Sequence, residues 1–372
     1  RFTEKAEYKF LKHFTWVGQA TARYGVTRTD YLNTAKLSNA KSEGRNQASL
    51  ARYLAGETYL TWNQKFGKHN PYGTIGASIE DWRDEALNIY GSDHVSESII
   101  TSNAFQVLNL SNTRSNYSEH SMVGFFARVG YSYDSKYIVN ASLRRDGSSR
   151  FVGKRWGWFP SVSALWRFSA EPFMKWSRDW LSDAKIRYSY GQTGVQSVGN
   201  YDAINTYTIG HYYNGVAAVY QNSRLANVNL SWESSGMNNV GIDLSFLNGR
   251  ISFTADWYNK ETKDLLASEQ IPSEMGVSTM RVNFGSIRNR GLELSVNGYP
   301  IQTRNFSWQT GFNISFNENE ITKLADGTAY LENNMYWIEE GGSIGQWFGY
   351  KYKGIYASDE ANAYVKNDDG TF

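Results

Sequence analysis

The chain has 372 residues, with 38 Lys and Arg against 36 Asp and Glu, and it contains no cysteine. The near-neutral charge excludes a strongly basic nucleic-acid binder, and the missing cysteine excludes disulfides, thiolate metal sites and a cysteine nucleophile. Aromatic residues make up 16% of the chain, glycine fills 33 positions, and no apolar run approaches the ~18 residues of a membrane-spanning helix, so a large exported β structure is favoured.

The residues before 120 carry a weak strand pattern. The chain starts at Arg1 and not at a methionine, and it ends in a polar stretch, so we expect a piece of a longer protein. A turn is predicted at 65–70. Three strands and two polar loops are predicted around it: 5–25, 50–64 and 71–82 as strands, and 26–48 and 83–120 as loops.

A regular alternation of apolar and polar residues begins at Val123. It runs to Tyr133, stops at Asp134–Lys136, and resumes from Tyr137 to Leu143. A period of two with a short link between the runs predicts a β-hairpin. In these runs nearly every charge lies on the polar face. The same alternation predicts further strands in 161–168, 185–190, 240–246, 251–257, 292–297 and 306–315.

Two features favour a membrane barrel over a soluble sandwich. Aromatic rings such as Tyr131, Tyr133 and Tyr137 flank the short links, which suits a membrane interface. Short links also alternate with long ones along the chain: 134–136, 248–249 and 299–305 against 191–236, 259–288 and 317–347. We therefore predict an all-β fold, a transmembrane antiparallel barrel with short periplasmic turns and long extracellular loops.

One connection carries its own pattern. Residues 171–181 begin with Glu171 and Pro172, and proline suits the first turn of a helix. Phe173, Trp176 and Trp180 fall on one stripe. The segment is predicted to be a short helix at the short-turn rim, lying against the barrel base or the membrane interface. A helix packed on a soluble core is the alternative.

Several blocks in order along the chain resemble the SusC/RagA-like family of TonB-dependent outer-membrane transporters of Bacteroidetes. The resemblance covers roughly 120–356. It rests on the following blocks: Arg145-Asp146-Gly147-Ser148-Ser149-Arg150-Phe151, Arg155-Trp156-Gly157-Trp158-Phe159-Pro160-Ser161, Asn229-Leu230-Ser231-Trp232-Glu233 and Asn289-Arg290-Gly291-Leu292-Glu293-Leu294.

This resemblance implies a plugged barrel of 22 strands in the outer membrane. About a dozen strands can be counted here, so residues 1–372 would form part of that barrel, without the N-terminal plug and the final strands. The family imports oligosaccharides or peptides under a SusD-like surface lipoprotein that caps the barrel, and TonB supplies the energy. The implied partners are this lipoprotein, TonB through the absent N-terminal region, and outer-membrane lipid.

Two sets of residues are candidates for the transport path. Charged residues on the polar face would contact the plug or the substrate: Arg128, Arg144, Lys185, Arg187, Asp243, Asp256 and Glu293. Aromatic residues in the long loops would stack on sugars, hold peptide side chains, or pack on the partner lipoprotein: Trp156, Trp158, Tyr207, Tyr212, Tyr213, Trp337 and Trp347.

Two other functions remain open on the sequence. The barrel could be a structural subunit of a larger outer-membrane complex, bound to other subunits and transporting nothing. A secreted carbohydrate enzyme would need a pair of oriented carboxylates, and the sequence offers no such pair. The five histidines are scattered without metal spacing, and no phosphate-binding loop is present. We therefore predict a non-enzyme without cofactor, metal or nucleic-acid partner.

Overall fold

A single large antiparallel sheet dominates the structure. The computed structural model describes residues 1–38, 41–110, 112–213, 216–221, 224–272, 274, 276–324, 327, 329–332 and 335–352, so the end of the family-like block at 353–356 lies outside the described residues. The strands are β1 Phe2–Phe10, β2 Phe14–Asn33, β3 Glu43–Asn63, β4 His69–His94, β5 Phe105–Leu108, β6 Arg114–Tyr133, β7 Tyr137–Ser148, β8 Trp156–Trp166, β9 Leu181–Val195, β10 Tyr207–Tyr213, β11 Val216–Gln221, β12 Arg224–Leu225, β13 Glu233–Phe246, β14 Ile251–Lys263, β15 Leu266–Gln270, β16 Thr279–Asn283, β17 Ser286–Gln302, β18 Ser307–Lys323, β19 Tyr330–Glu332, β20 Tyr336–Ile338 and β21 Gln346–Trp347.

Neighbours in the sheet follow the chain, as expected for a meander. The order is β1-β2-β3-β4-β6-β7-β8-β9-β13-β14-β17-β18, with β5 attached to β4. The tight turns such as Asp134–Lys136 lie at one end of the sheet, together with the longer connection 167–180, and we call it the short-turn end. Asp134 and Ser135 adopt φ values of 52° and 55°, the left-handed conformation that a tight hairpin turn requires. The opposite end, where the long connections lie, is the long-loop end.

The strands are longer than the alternation predicts. The predicted loop at 26–48 is wrong, because β2 continues to Asn33 and β3 starts at Glu43. The loop at 83–120 is also wrong in large part, since β4 runs to His94. The single strand predicted at 5–25 is a hairpin with its turn at Leu11–His13. Toward the long-loop end both faces of these strands are polar, so backbone pairing continues where the hydrophobic period has ended.

Large apolar side chains cover one face of the sheet without being buried. Ile75 is 62% exposed, Val129 63% and Phe312 62%. The register places them on the face shared by Val139, Leu244 and Val296. Across this apolar band the opposite face carries charged residues such as Arg128 and Arg187. A sheet in water would bury the apolar face, so this face is built for contact with an apolar medium.

The long connections contain small sheets of their own. Strands β10 and β11 pair with each other, and β19, β20 and β21 form a third small sheet. Strand β12, from the connection before β13, pairs in parallel with β16, from the connection after β14. Two of the long predicted loops, 191–236 and 259–288, are thus joined by backbone hydrogen bonds. No helix in the described part of the chain is long and apolar enough to cross a membrane.

The predicted helix at the short-turn end is a pair of 3₁₀ turns, Phe168–Ala170 and Pro172–Ser177. Glu171, between the two turns, points toward the sheet: it is buried and accepts a hydrogen bond of 2.7 Å from the Tyr137 hydroxyl. Its rings point outward, with Phe173 60% and Trp176 69% exposed. A helix packed on a soluble core would show the reverse, so the structure favours the interface position.

The Glu171 carboxyl makes the attachment of this segment sensitive to acid. The Tyr137 hydroxyl holds the pKa of Glu171 below the ordinary 4.5, and Trp166 and Lys136 add to the effect. A carboxyl with a lowered pKa in the folded state stabilises it above pH 4.5 and loses that contribution as the pH falls through the folded value. We expect residues 168–180 to lose protection below pH 4.5, measured as amide hydrogen exchange corrected for intrinsic rates.

The variant Glu171→Gln removes the charge, so its protection should no longer vary with pH in this range. Asp179→Asn, at an exposed position of the same segment, is the matched control and should behave as the wild type. Equal pH dependence in the wild type and in Glu171→Gln would show that another group governs the segment.

Candidate functional site

The polar face carries an ion-paired cluster at the level of Arg187. The Arg187 Nε donates to Asp243 Oδ2 at 2.7 Å and its Nη2 donates to Oδ1 at 3.0 Å. The same Nη2 donates to Asp256 Oδ2 at 3.2 Å. One guanidinium from β9 thereby joins carboxylates from β13 and β14. The fork geometry fixes the direction of the side chain as well as its charge.

A glycine makes room for this cluster. Gly241 pairs with Arg187 on one side and with Asp256 on the other, so the ion pair spans the glycine. A Cβ at position 241 would lie 2.5 Å from Asp256 Oδ1 and 2.7 Å from Arg187 Cζ. A side chain at this position would displace the Arg187 guanidinium and the Asp256 carboxylate from the polar face of the sheet.

The same device occurs a second time on the polar face. Gly124 lies between Ser78 and Asp146 in the register. Arg144 crosses it, donating from Nε to Asp146 Oδ2 at 2.7 Å and from Nη2 to Ser78 Oγ at 3.1 Å. In both places a glycine lets an arginine lie flat against the sheet, which keeps the polar face shallow.

The remaining charged candidates differ in how far they are neutralised. Arg128 donates to Asn140 Oδ1 at 3.3 Å. Lys185 Nζ lies 2.7 Å from an Asp183 carboxylate oxygen. Glu293 pairs in register with Asp256, is exposed, and has no ion-pair partner among the described residues.

The row from β9 to β17 is therefore acidic. Arg187 and Lys185 contribute two positive charges, and Asp183, Asp243, Asp256 and Glu293 contribute four negative ones, which leaves a formal charge of −2. A shallow depression of about 340 Å³ lies beside Asp256 and Glu293. Its other lining residues include Thr254, Asn313 and Ser315. This part of the polar face would attract a basic surface or a hydroxyl-rich ligand.

Trp156 and Trp158 do not lie in a loop, so that prediction is wrong. Both belong to β8, where they pair with Gly147 and Arg145 on the apolar face. The alternation of β8, with Gly157 between the two tryptophans, fixes this orientation. The predicted strand began only at residue 161, so the sequence analysis assigned both rings to the preceding loop. Their position is that of rings at the edge of an apolar band.

The other aromatic candidates lie in the long connections, as predicted. Tyr207 is exposed at the start of β10; Tyr212 and Tyr213 lie in the same strand, and their side chains are outside the described residues. Trp337 stacks on Phe348 with ring centroids 5.3 Å apart, and Trp347 packs on Tyr336 at 5.3 Å. Trp347 is 74% exposed. Sheet β19-β20-β21 and the residue after it thus carry two pairs of contacting rings.

A buried core at the long-loop end had no counterpart in the sequence prediction. We call this cluster the loop-end core: Phe151, Phe159, Val198, Ala203, Leu230 and Trp232. The Trp232 Nε1 donates to the Arg155 carbonyl at 2.9 Å. Beside it, buried Asp202 lies 2.6 Å from Arg224 and 3.6 Å from Arg281. The only sequence signal was that several of these residues belong to the family-like blocks.

The described residues contain no group of three or more His, Asp or Glu side chains arranged to hold a metal ion. The polar face offers guanidinium groups, carboxylates and amides to whatever fills the space beside it.

A protein-family model matches almost the whole chain. Residues 1–371 match the model described as TonB dependent receptor-like, beta-barrel. The TonB-dependent receptor P39 of Formosa agariphila is 39% identical over 334 residues, which cover 89% of this chain and 32% of that receptor. The TonB-dependent receptor SusC of Bacteroides thetaiotaomicron is 38% identical over 235 residues, covering 61% of this chain and 23% of SusC.

Solved structures give a concordant result. A structure of the RagAB peptide transporter matches with a TM-score of 0.84 and 26% identity, covering 93% of this chain and 39% of that one. The RagAB peptide importer in its open-open state matches with a TM-score of 0.79 and 25% identity. The chain spans about a third of the length of the curated relatives that it matches.

Proposed function

The chain belongs to the TonB dependent receptor-like β-barrel family, and from that membership we propose that it forms part of the wall of an active importer. Barrels of this family lie in the bacterial outer membrane, so the apolar face contacts lipid and the polar face lines the lumen. The proposed cargo is an oligosaccharide or a peptide. TonB supplies the energy, and a SusD-like lipoprotein closes the outer mouth.

The relatives support this assignment. SusC is named as a TonB-dependent receptor, and the RagAB structures are those of a peptide transporter. Because the chain spans about a third of its curated relatives, we propose that the plug domain and the remaining wall strands belong to the rest of the full-length protein. The long-loop end then faces the cell exterior and the short-turn end faces the periplasm.

The acidic row on the lumen wall is the observation that carries the proposal. Asp243, Asp256 and Glu293 face the lumen; Arg187 pairs with the first two, and the neighbouring Lys185 is paired with Asp183. We infer that this row contacts basic groups of the plug, and that Arg128, Arg144 and Lys185 extend the same contact surface. A shallow, charge-paired wall would hold the plug by polar contacts that can break during transport.

The rings at the long-loop end are the proposed cargo or lid contacts. Tyr336 with Trp347, and Trp337 with Phe348, form two contacting ring pairs in and beside sheet β19-β20-β21. Aromatic faces suit sugar rings and apolar peptide side chains alike, and they also suit a protein partner. Tyr207, Tyr212 and Tyr213 remain candidates of the same kind.

Uptake by intact cells tests the proposal. The gene for the full-length protein is deleted, and uptake is followed with fluorescently labelled glucan oligosaccharides and with a labelled casein digest. We expect the deletion to abolish uptake of at least one of these probes, and inactivation of TonB to give the same loss. Complementation with the wild-type gene should restore uptake.

The scaffold alternative predicts a different outcome. If uptake of both probes is unchanged in the deletion strain, the import function is wrong for these cargo classes. Stable co-purification with unrelated outer-membrane subunits, and not with a SusD-like lipoprotein, would then favour the structural role.

A further inference from the structure

Arg145 is an exposed arginine on the lipid-facing side of the sheet, and aromatic rings surround its guanidinium group. It lies in β7 and pairs in register with Phe125 on one side and Trp158 on the other. Its Cζ lies 4.7 Å from the ring centroid of Trp156 and 4.9 Å from that of Trp158. Trp156 in turn stacks on Phe125 at 6.2 Å. The guanidinium is thus held between rings at the surface.

Other arginines on this side of the main strands have carboxylate partners. The N–O distances run from 2.5 to 3.0 Å in the pairs Arg28–Asp30, Arg52–Asp81, Arg83–Glu85, Arg288–Glu320 and Arg290–Glu318. Arg145 is exposed, and within the described part of the chain no carboxylate lies at ion-pair distance from it. Its charge is therefore left for something outside the chain.

The height of Arg145 identifies what surrounds it. From Tyr137 at the short-turn end to Arg145 the strand rises about 26 Å along its own direction. The apolar band of an outer-membrane barrel is about 25 Å tall, and strand tilt shortens the rise. With a tilt of about 40° this rise is about 20 Å, so the Arg145 backbone lies within about 5 Å of the extracellular edge of the band, and its long side chain reaches the level where lipid headgroups begin. In bacterial outer membranes this leaflet is built from glycolipids with phosphorylated headgroups.

The rings leave the arginine free to bind phosphate. Stacking on Trp156 and Trp158 uses the faces of the guanidinium and leaves its in-plane N–H donors unoccupied. These donors match two phosphate oxygens at once. The rings also restrict the side chain, so that less conformational entropy is lost on binding.

We propose that Arg145, held by Trp156 and Trp158, binds a headgroup phosphate of an outer-leaflet lipid. The site lies on the outside of the wall, so it requires the outer-membrane location but no import activity. A negative uptake experiment would contradict the import function and not lipid binding at Arg145. A negative lipid-binding experiment would contradict the role of Arg145 and not the import function.

The test compares two lipids on the full-length transporter, purified with its partner and delipidated in detergent. The probes are lipid A and the same lipid A dephosphorylated by alkaline phosphatase, and bound lipid is counted by native mass spectrometry. The wild type should prefer phosphorylated lipid A by about fivefold, the size expected for a charge-assisted contact near water. Arg145→Gln should bind both lipids equally.

The control is Arg290→Gln, which removes an outward arginine that already has a carboxylate partner; it should keep the wild-type preference. Heat-dependent gel mobility verifies that each variant is folded. Equal binding of both lipids by the wild type overturns the proposal without reference to any variant. An unchanged preference in folded Arg145→Gln also overturns it, as does full displacement by inorganic phosphate, which would indicate a site for free anions.

Discussion

Truncation of Trp232 to alanine should destabilise the protein by about 4 kcal/mol. Its ring is only 8% exposed and packs on Phe151 at 5.4 Å and on Phe159 at 5.5 Å. The truncation leaves a cavity in the loop-end core and removes the hydrogen bond to the Arg155 carbonyl. We expect a lower urea midpoint for the full-length protein in bilayers, and cleavage of its extracellular loops by protease on intact cells.

Two further variants separate packing from the hydrogen bond. Trp232→Phe keeps most of the ring volume and loses the N–H donor, so its cost should be about 1 kcal/mol. Trp347→Ala removes a ring that is 74% exposed, and it should leave the midpoint within experimental error. A Trp232→Ala protein as stable as Trp347→Ala would mean that the loop-end core does not contribute to folding.

Replacement of Gly241 by valine should be the second most damaging change. The new side chain would occupy the space of the Arg187 guanidinium and the Asp256 carboxylate, and the three-strand ion pair would separate. We expect a loss of about 2 kcal/mol, below the cost for a buried pair because the Arg187 side chain is 32% exposed. Urea unfolding in bilayers measures the stability.

Gly191→Ala is the matched control for this variant. Gly191 lies on the same polar face of β9, and a Cβ there would meet the Ser161 Cβ at an ordinary 3.6 Å. Its stability should therefore stay close to that of the wild type. If Gly191→Ala and Gly241→Val are equally damaging, the cost arises from restricting the backbone of a glycine and not from displaced charges.

Strand pairing was predicted correctly for the parts of the strands within the apolar band and wrongly for the parts beyond it. Between Val123 and Leu143 each second residue meets lipid, so the sequence alternates and the hairpin was predicted correctly. Beyond the band, as at Asn88 and Ser115 in β4 and β6, water or loops meet both faces. The alternation then carries no information about pairing, and the strand ends were placed too early.

The sequence by itself determined the fold class, the family resemblance and the outer-membrane location, and the comparisons confirm all three. A period-two pattern with an apolar exterior has few physical solutions, because lipid permits no open strand edge. The tertiary structure alone decided that Arg187 reaches Asp256 across Gly241, that Trp156 and Trp158 hold Arg145 on the outer side, and that Trp232 is buried. These contacts depend on which residues of distant strands share one level, and register is set by the whole sheet and not by any local stretch.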